Sequence, residues 1–487
     1  MQAPGPPRRV ILITVAGLNS SDYLDAWGHA VGEGEVVRMP NLARLAREGA
    51  MGIEAFPPSP GATRASHATL ATGRLPVNHG IVADSIVDGD GTRSLPLMDS
   101  RLLSGTTLWD AAIGRGVLSL DWPTTGGARI ELIVPEVTPS QSWLDSVRPR
   151  SSPLLYRELE SIAAEDIEWS RENEGEEERD LATWPTPAEK DAALVEVACR
   201  VVDSVSDPGL WLMRLNQTDW TQRAMGDGSV EVDAALGRVD DGIGTLIECL
   251  EASGQLGETA IIVVGDIAYH PVHSSAAPNV ALVRSGLIGR DPRASTGVRS
   301  WLALARSNGR SAYIYARDAA NAVEARKVLE VEAARTGAFR VVSAKELMAV
   351  GADPQAWFGL SAMPGYMIGN EVSGPEVRPA QVRATAGALR FGNSPDVAVG
   401  FVAWGRGIRN QVRLPIIEFV DVAPTIAALL GLRLGDNLDG DPIDGLLRAE
   451  AALPPPGPKR LGRESGESAD EILREIRRSR DERRIER

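Results

Sequence analysis

Three short runs, VILITV (10–15), LWLMRL (210–215) and TAIIVV (259–264), are apolar almost throughout. A strand with one wet face alternates apolar and polar residues. A run without that alternation has to be covered on both faces, which is the condition of a parallel sheet between helices. Helical patterns fall between the runs. PNLARLAREGA carries Pro40 near a helix start and Gly49 as its stop. From Val232 to Leu250 the spacing places Val232, Leu236, Val239, Ile243, Leu246 and Leu250 on one helical face, with Gly254 as terminator. This alternation predicts an α/β fold, a mainly parallel sheet with helices on both faces.

A chain of 487 residues can build one large core or two smaller ones. We expect residues 1–274 to form the first part of a core and 275–385 an inserted α/β cap, with SAYIYA as one of its strands. FVAWGRGI and VDVAPTIAALLGL then return to the core over 386–453. Beyond it, 454–487 reads as a Pro-rich linker and a charged tail, disordered or helical, with Ile472, Leu473 and Ile476 as the apolar side of a partner-binding alternative. DIEWSRENEGEEERD (166–180) reads as a solvated loop or helix face rather than a metal-binding acidic patch. The start, MQAPGPPRRVILITVAGL, has a signal-peptide look, but the apolar run is short and fits a buried first strand better. No segment is apolar for long enough to span a bilayer.

Net charge −15 argues against a duplex nucleic-acid surface, which needs clustered Lys and Arg. Cys199 and Cys249, both in helical patterns, read as unpaired small core residues in a reducing, cytoplasmic setting.

Several stretches in one order carry a resemblance: VILITVAGL, MPNLARLAREGA, GATRASHATLATGRLPVNHGIV, LNQTDWTQRAMG, IIVVGDIAYHPV, WFGLSAMPGY, FVAWGRGIRN and VDVAPTIAALLGL. Together they resemble the alkaline phosphatase superfamily, in its nucleotide pyrophosphatase/phosphodiesterase branch, across nearly the whole chain to about residue 445. That resemblance implies an alkaline-phosphatase-like core. It also implies a Thr or Ser nucleophile at a helix start and two zinc ions that activate it and bind the phosphate. Thr63, four residues before His67, matches the nucleophile position. Exposed amides at a helix N-terminus favour an anion beside it, although by itself Thr63 also reads as an ordinary helix cap.

The metal positions implied by the resemblance are largely substituted. Ala16 stands where the first strand delivers an Asp. Asp219 is kept, but Arg223 takes the place of a His four residues on. Asp266 is kept, but Ile267 and Ala268 replace the His and Gly after it. The last His belongs before PDVAVGFVAWG, and no His occurs from 274 onward. One metal would keep only Asp219, the other Thr63 and Asp266, short of the three protein ligands of a catalytic zinc. We therefore expect no cofactor, with a single weak divalent ion as the alternative to the two zinc ions.

In that setting Ile267 fills space left by a metal, and Arg223 is expected to bridge Asp219 and Asp266 as a replacement cation. Arg64, Ser66 and Arg223 are the candidate ligand-binding residues, Thr63 the candidate catalytic one. His67 and His79 read as packing residues, and His29 as an isolated loop residue. His270 and His273 read either as structural or as a displaced metal site. Trp220 reads as core, with stacking on a ligand ring as the alternative. The expected function is a degenerate phosphodiesterase-like protein without two-metal hydrolysis, keeping an anion- or partner-binding cleft. The alternatives are a working hydrolase or transferase using Thr63 with one metal or Arg223, and a scaffold acting through its cap and tail. The expected partner is a phosphate-containing small molecule, with a protein partner through the cap or tail as the other candidate, and no nucleic acid duplex or membrane.

Overall fold

The structure is a computed structural model. It describes residues 5–451 apart from 26–28, 30–36, 88–90, 92, 139–141, 174–183, 203–207 and 393–394. Part of the charged run, 174–180, and the whole tail lie outside the described residues. The earlier part of that run is helical, inside Pro153–Asn173.

Eight strands make the central sheet: β1 (Arg9–Val15), β2 (Ala50–Phe56), β3 (Val117–Leu120), β4 (Leu132–Val134), β5 (Leu210–Leu215), β6 (Thr259–Gly265), β7 (Val399–Gly405) and β8 (Val412–Glu418). Their order across the sheet is β8-β2-β7-β6-β1-β5-β3-β4. Every neighbouring pair is parallel except those made by β7, which runs antiparallel to β6 and β2. Seven strands therefore end on the same edge, and in such sheets that edge is where loops gather functional side chains.

The apolar runs have a simple cause. Alternate residues of β1 enter two different cores: Ile11, Ile13 and Val15 pack on one face of the sheet, Val10 and Leu12 on the other. β6 divides in the same way, Ile261 and Val263 against Ile262 and Val264. The first face is covered by α1 (Pro40–Glu48), α3 (Pro187–Val202) and α5 (Val230–Ala252), the second by α2 (Thr63–Thr72) and the helix Val422–Leu430. The six residues assigned to the buried face of α5 are all at most 1% exposed. Ser229 caps that helix, its Oγ accepting from the Val232 N–H at 3.2 Å. This is the mainly parallel, helix-flanked α/β architecture that the sequence implies.

Immediately after β6 the chain leaves the central sheet, and it returns at β7. Between them lies a four-stranded antiparallel sheet, Ala303–Ser307, Ser311–Ala316, Phe358–Ala362 and Phe339–Val342 in spatial order. It has its own apolar cluster with Leu304, Ile314, Leu329 and Leu360. The strand His270–Ala276 joins the two regions, pairing with 365–368, 377–379 and 384–385.

The cysteine reading needs correction. Cys199 on α3 and Cys249 on α5 are half-buried and joined in a disulfide. They meet because α3 packs along α5, a contact between segments 50 residues apart. That pairing removes the cysteine argument for a reducing compartment. No helix among the described residues is long and apolar enough to cross a membrane.

Candidate functional site

Thr63 is the first residue of α2, which follows the loop leaving β2. The cap position belongs to Ala62, in extended backbone, so the Thr63 hydroxyl does not cap the helix. Its carbonyl accepts a hydrogen bond from His67 Nδ1 at 2.7 Å. The other ring nitrogen, Nε2, then accepts from the Thr14 hydroxyl on β1 at 2.8 Å. Trp122 packs edge-on to the imidazole, with ring centroids 4.7 Å apart. Burial, with Arg214 and Arg64 nearby, pushes His67 well below the usual histidine range. The ring is neutral and fastens the first turn of α2 to the sheet. His79 is also buried, accepting from the Ile81 N–H and bonded to Thr69 Oγ1 at 3.0 Å, with burial lowering it to about 3.

The Arg64 amide in the first turn of α2 is not left for an external anion. The Arg64 N–H donates to Asp84 Oδ1 at 2.8 Å, while Arg64 Nη1 donates to the Asp84 carbonyl at 2.9 Å. The remaining edge of that guanidinium meets Glu136 twice, at 3.1 and 2.9 Å. Arg64, a candidate ligand-binding residue, is closed within the chain. Ser66, one turn into the helix, is fully buried, and its Oγ has no hydrogen-bond partner among the described residues.

Asp266 begins the loop after β6 and is 1% exposed. Its Oδ1 accepts from the Gly17 N–H at 3.3 Å. Gly17 has φ +69, and a side chain there would collide with Gln222 and Tyr269, so close backbone approach is possible only for glycine. Burial raises the Asp266 carboxyl to about 7; Arg214 and the Gly17 amide oppose the rise, and Asp219 adds to it. Ala16 and Ile267, at the substituted ligand positions, are both buried.

Asp219 lies in the first turn of α4 (Gln217–Met225). Arg223 Nε donates to its Oδ1 at 2.9 Å, one turn along the same helix. The Tyr269 hydroxyl donates to the same oxygen, and the Arg223 guanidinium lies 5.3 Å from the Tyr269 ring centroid. The expected bridge is therefore corrected. Arg223 pairs with Asp219 but makes no ion pair with Asp266.

The cation beside Asp266 is Arg214. On β5 it sits in register with Thr14 of β1, on the face that meets α2. Its Nη1 donates to Glu136 Oε1 at 3.1 Å, and its Nε lies 3.4 Å from Asp121 Oδ2, a charge contact without hydrogen-bond geometry. Lys190 Nζ reaches the same Asp121 oxygen at 2.7 Å. Burial disfavours the Arg214 charge, but Asp121, Glu136, Asp266 and Asp219 overcome it and hold its pKa above the usual arginine value. Asp121 also has φ +55, outside the common backbone regions, as the chain turns off β3 to present this carboxylate. The result is a partly buried chain of alternating charges, Lys190, Asp121, Arg214, Glu136 and Arg64, under the ends of β3, β4 and β5.

Sequence reasoning missed this network. Arg214 carried a signal, a lone cation inside the apolar run LWLMRL, and such a residue needs buried partners. Tyr269 stood three residues beyond Asp266. Asp84, Asp121 and Glu136 carried no local signal, since only the topology brings their loops together.

The other histidines separate. His270 is buried, while His273 is more exposed and bonded to Ser274 Oγ at 2.9 Å. Three residues apart on one strand, they point to opposite faces and cannot share a metal. His29 does have a partner, Asp25, at 3.2 Å. Trp220 is not core: it is 62% exposed, next to Asp219.

Among the described residues, no group of three or more His, Cys, Asp or Glu could hold a metal ion. The donor set agrees. Asp219 is taken by Arg223 and Tyr269, and Asp266 accepts from the Gly17 amide. These residues do not fit a pair of zinc ions.

A family model described as type I phosphodiesterase / nucleotide pyrophosphatase matches residues 10–358. No curated protein matches the chain.

Proposed function

The chain belongs to the type I phosphodiesterase / nucleotide pyrophosphatase family, and from that premise we propose that it is a non-hydrolytic member whose cleft recognises a ligand. The observation that carries this reading is the internal pairing of the cleft. Asp219 is bonded to Arg223 and Tyr269, Arg64 to Glu136, and the α2 amide to Asp84. Two-metal displacement needs carboxylates free to bind cations and an anion position free to take phosphate. Here the Asp219 carboxylate and the Arg64 amide are instead taken up by groups of the chain itself. Asp84 holds the Arg64 amide in the first turn of α2, so an incoming anion would meet a carboxylate already bonded there. This disfavours the phosphate-containing partner and favours a ligand recognised by shape and hydrogen bonding. A cytoplasmic location and a protein partner through the cap or tail stay outside this proposal.

One feature favours the hydrolytic alternative: the Thr63 hydroxyl makes no hydrogen bond among the described residues, and an uncommitted hydroxyl could serve a single metal. Equilibrium dialysis against zinc separates the readings. We expect no tightly retained zinc, and the same trace content in wild type and Asp266→Asn. Two retained ions, lost in that variant, would return the chain to the hydrolases.

A further inference from the structure

A short hairpin, Ser85–Val87 paired with Ser94–Pro96, lies against Ala303–Ser307, the edge strand of the inserted four-stranded sheet. Strand alternation turns Ile86 and Leu95 to one side of the hairpin and leaves Ser85 and Ser94 on the other, toward that strand. There Arg306 Nη2 donates to Ser85 Oγ at 2.8 Å and also to Ser94 Oγ. Near the turn of the hairpin the Thr296 hydroxyl donates to the Gly91 carbonyl at 2.6 Å. Gly91 has φ +79, and a Cβ there would collide with Trp301. The hairpin is thus fastened to the inserted region at two points.

Arg306 differs from the other buried arginines. Arg64 and Arg214 each meet Glu136, and Arg390 meets Glu418. Arg306 is 8% exposed, yet no carboxylate pairs with it among the described residues. Asp353, on the far side of Tyr315, is taken by the Tyr315 hydroxyl at 2.5 Å and the Gln355 amide at 2.8 Å. Arg306 Nε is buried without a hydrogen bond, while Nη1, also without a partner among the described residues, stays open to solvent. Burial pulls the Arg306 pKa below the usual arginine value, with Tyr315 opposing, but a guanidinium keeps its charge at pH 7. A buried charge without a counter-charge is costly, so this one calls for an anion.

The two serines add a donor. Ser94 Oγ accepts from Arg306 and donates its single proton to Ser85 Oγ at 3.2 Å. Ser85 Oγ therefore accepts twice, and its own proton has no acceptor among the described residues. An open hydroxyl donor and the open N–H groups of Nη1 stand side by side at the seam. A tetrahedral oxyanion can accept from both at once through different oxygens, and charge-assisted bonds of this kind are the strong ones.

We propose that a small oxyanion of the phosphate or sulfate class binds at this seam, accepting from Arg306 Nη1 and the Ser85 hydroxyl and tying the inserted sheet to the hairpin. The inference goes beyond the reading of the cleft and does not depend on it. Asp84, next to Ser85, is committed to Arg64, and none of Thr63, Asp219 and Asp266 takes part.

The test uses the full chain in phosphate-free chloride buffer at constant ionic strength, read by thermal unfolding. Inorganic phosphate at about 10 mM should raise Tm by about 2 °C. Sulfate should act alike, and extra chloride should leave Tm unchanged. Arg306→Met keeps an unbranched stem and removes the charge; Ser85→Ala keeps the guanidinium and removes the open donor. The first should abolish the phosphate shift and the second should at least halve it. No shift in the wild type overturns the proposal. So does an equal shift in Arg306→Met, which is how a general salt effect or a different anion site would appear. A full shift in Ser85→Ala overturns the placement at the hairpin, and that variant decides the matter by itself if Arg306→Met fails to fold.

Discussion

Asp266 is held near its midpoint at neutral pH by opposed effects: burial raises it to about 7 against the pull of Arg214. Its folded pKa lies above the unfolded value of 3.8. Protonation therefore stabilises the folded chain, fully below about pH 4, and that contribution fades as pH rises through 7. Asp266→Asn keeps the acceptor for the Gly17 amide and removes the buried charge. We expect the variant to match wild type in denaturant unfolding near pH 4 and to be more stable by a few kcal/mol at pH 8. Equal stability of the two proteins at pH 8 would mean that the carboxylate is better compensated than the geometry indicates. At this scale the sequence pointed to individual residues and said less about their partners. Thr63, Asp219 and Asp266 all reach the same sheet edge, but the expected Arg223 bridge fails because a helical i,i+4 pair keeps Arg223 on Asp219.

Strands and helices explain why the buried charges are tolerated. Three helices donate N-terminal amide hydrogen bonds to an aspartate elsewhere in the chain: α1 to Asp240, α2 to Asp84 and α4 to Asp191. A carboxylate at a helix start satisfies orphan donors and is favoured by the helix dipole. The β3, β4 and β5 ends are tied by Arg214 in the same spirit. The two arginines should therefore differ strongly on removal. Arg214→Met leaves Asp121 and Glu136 short of a buried partner and should cost about 3 kcal/mol or more in urea unfolding. Arg223→Met breaks a half-exposed pair and should cost about 0.5 kcal/mol or less. Equal costs would contradict the assignment of Arg214 as the central cation. The buried face of α5 was legible because its period is local. The Cys199–Cys249 bond was not, since it depends on how α3 lies along α5, and no period reports that.

Across the whole molecule, the fold was legible from the uninterrupted apolar strands, whose two-sided burial requires helices above and below. The ordered blocks carry Thr63, Asp219 and Asp266 to one edge, because in a parallel sheet strand ends gather there. What stayed hidden was the filling of that site, assembled from loops after β3 and β4 and from Asp84, which are distant in sequence and adjacent only once the sheet closes. The central claim is a cleft whose Asp219, Arg64 and first-turn α2 amide are already paired within the chain. Its most direct test is the initial rate of bis(4-nitrophenyl) phosphate hydrolysis with added zinc or manganese, wild type beside Thr63→Ala. The account predicts equal, background rates for both proteins with either metal. A rate that saturates with metal in the wild type and vanishes in Thr63→Ala would contradict it.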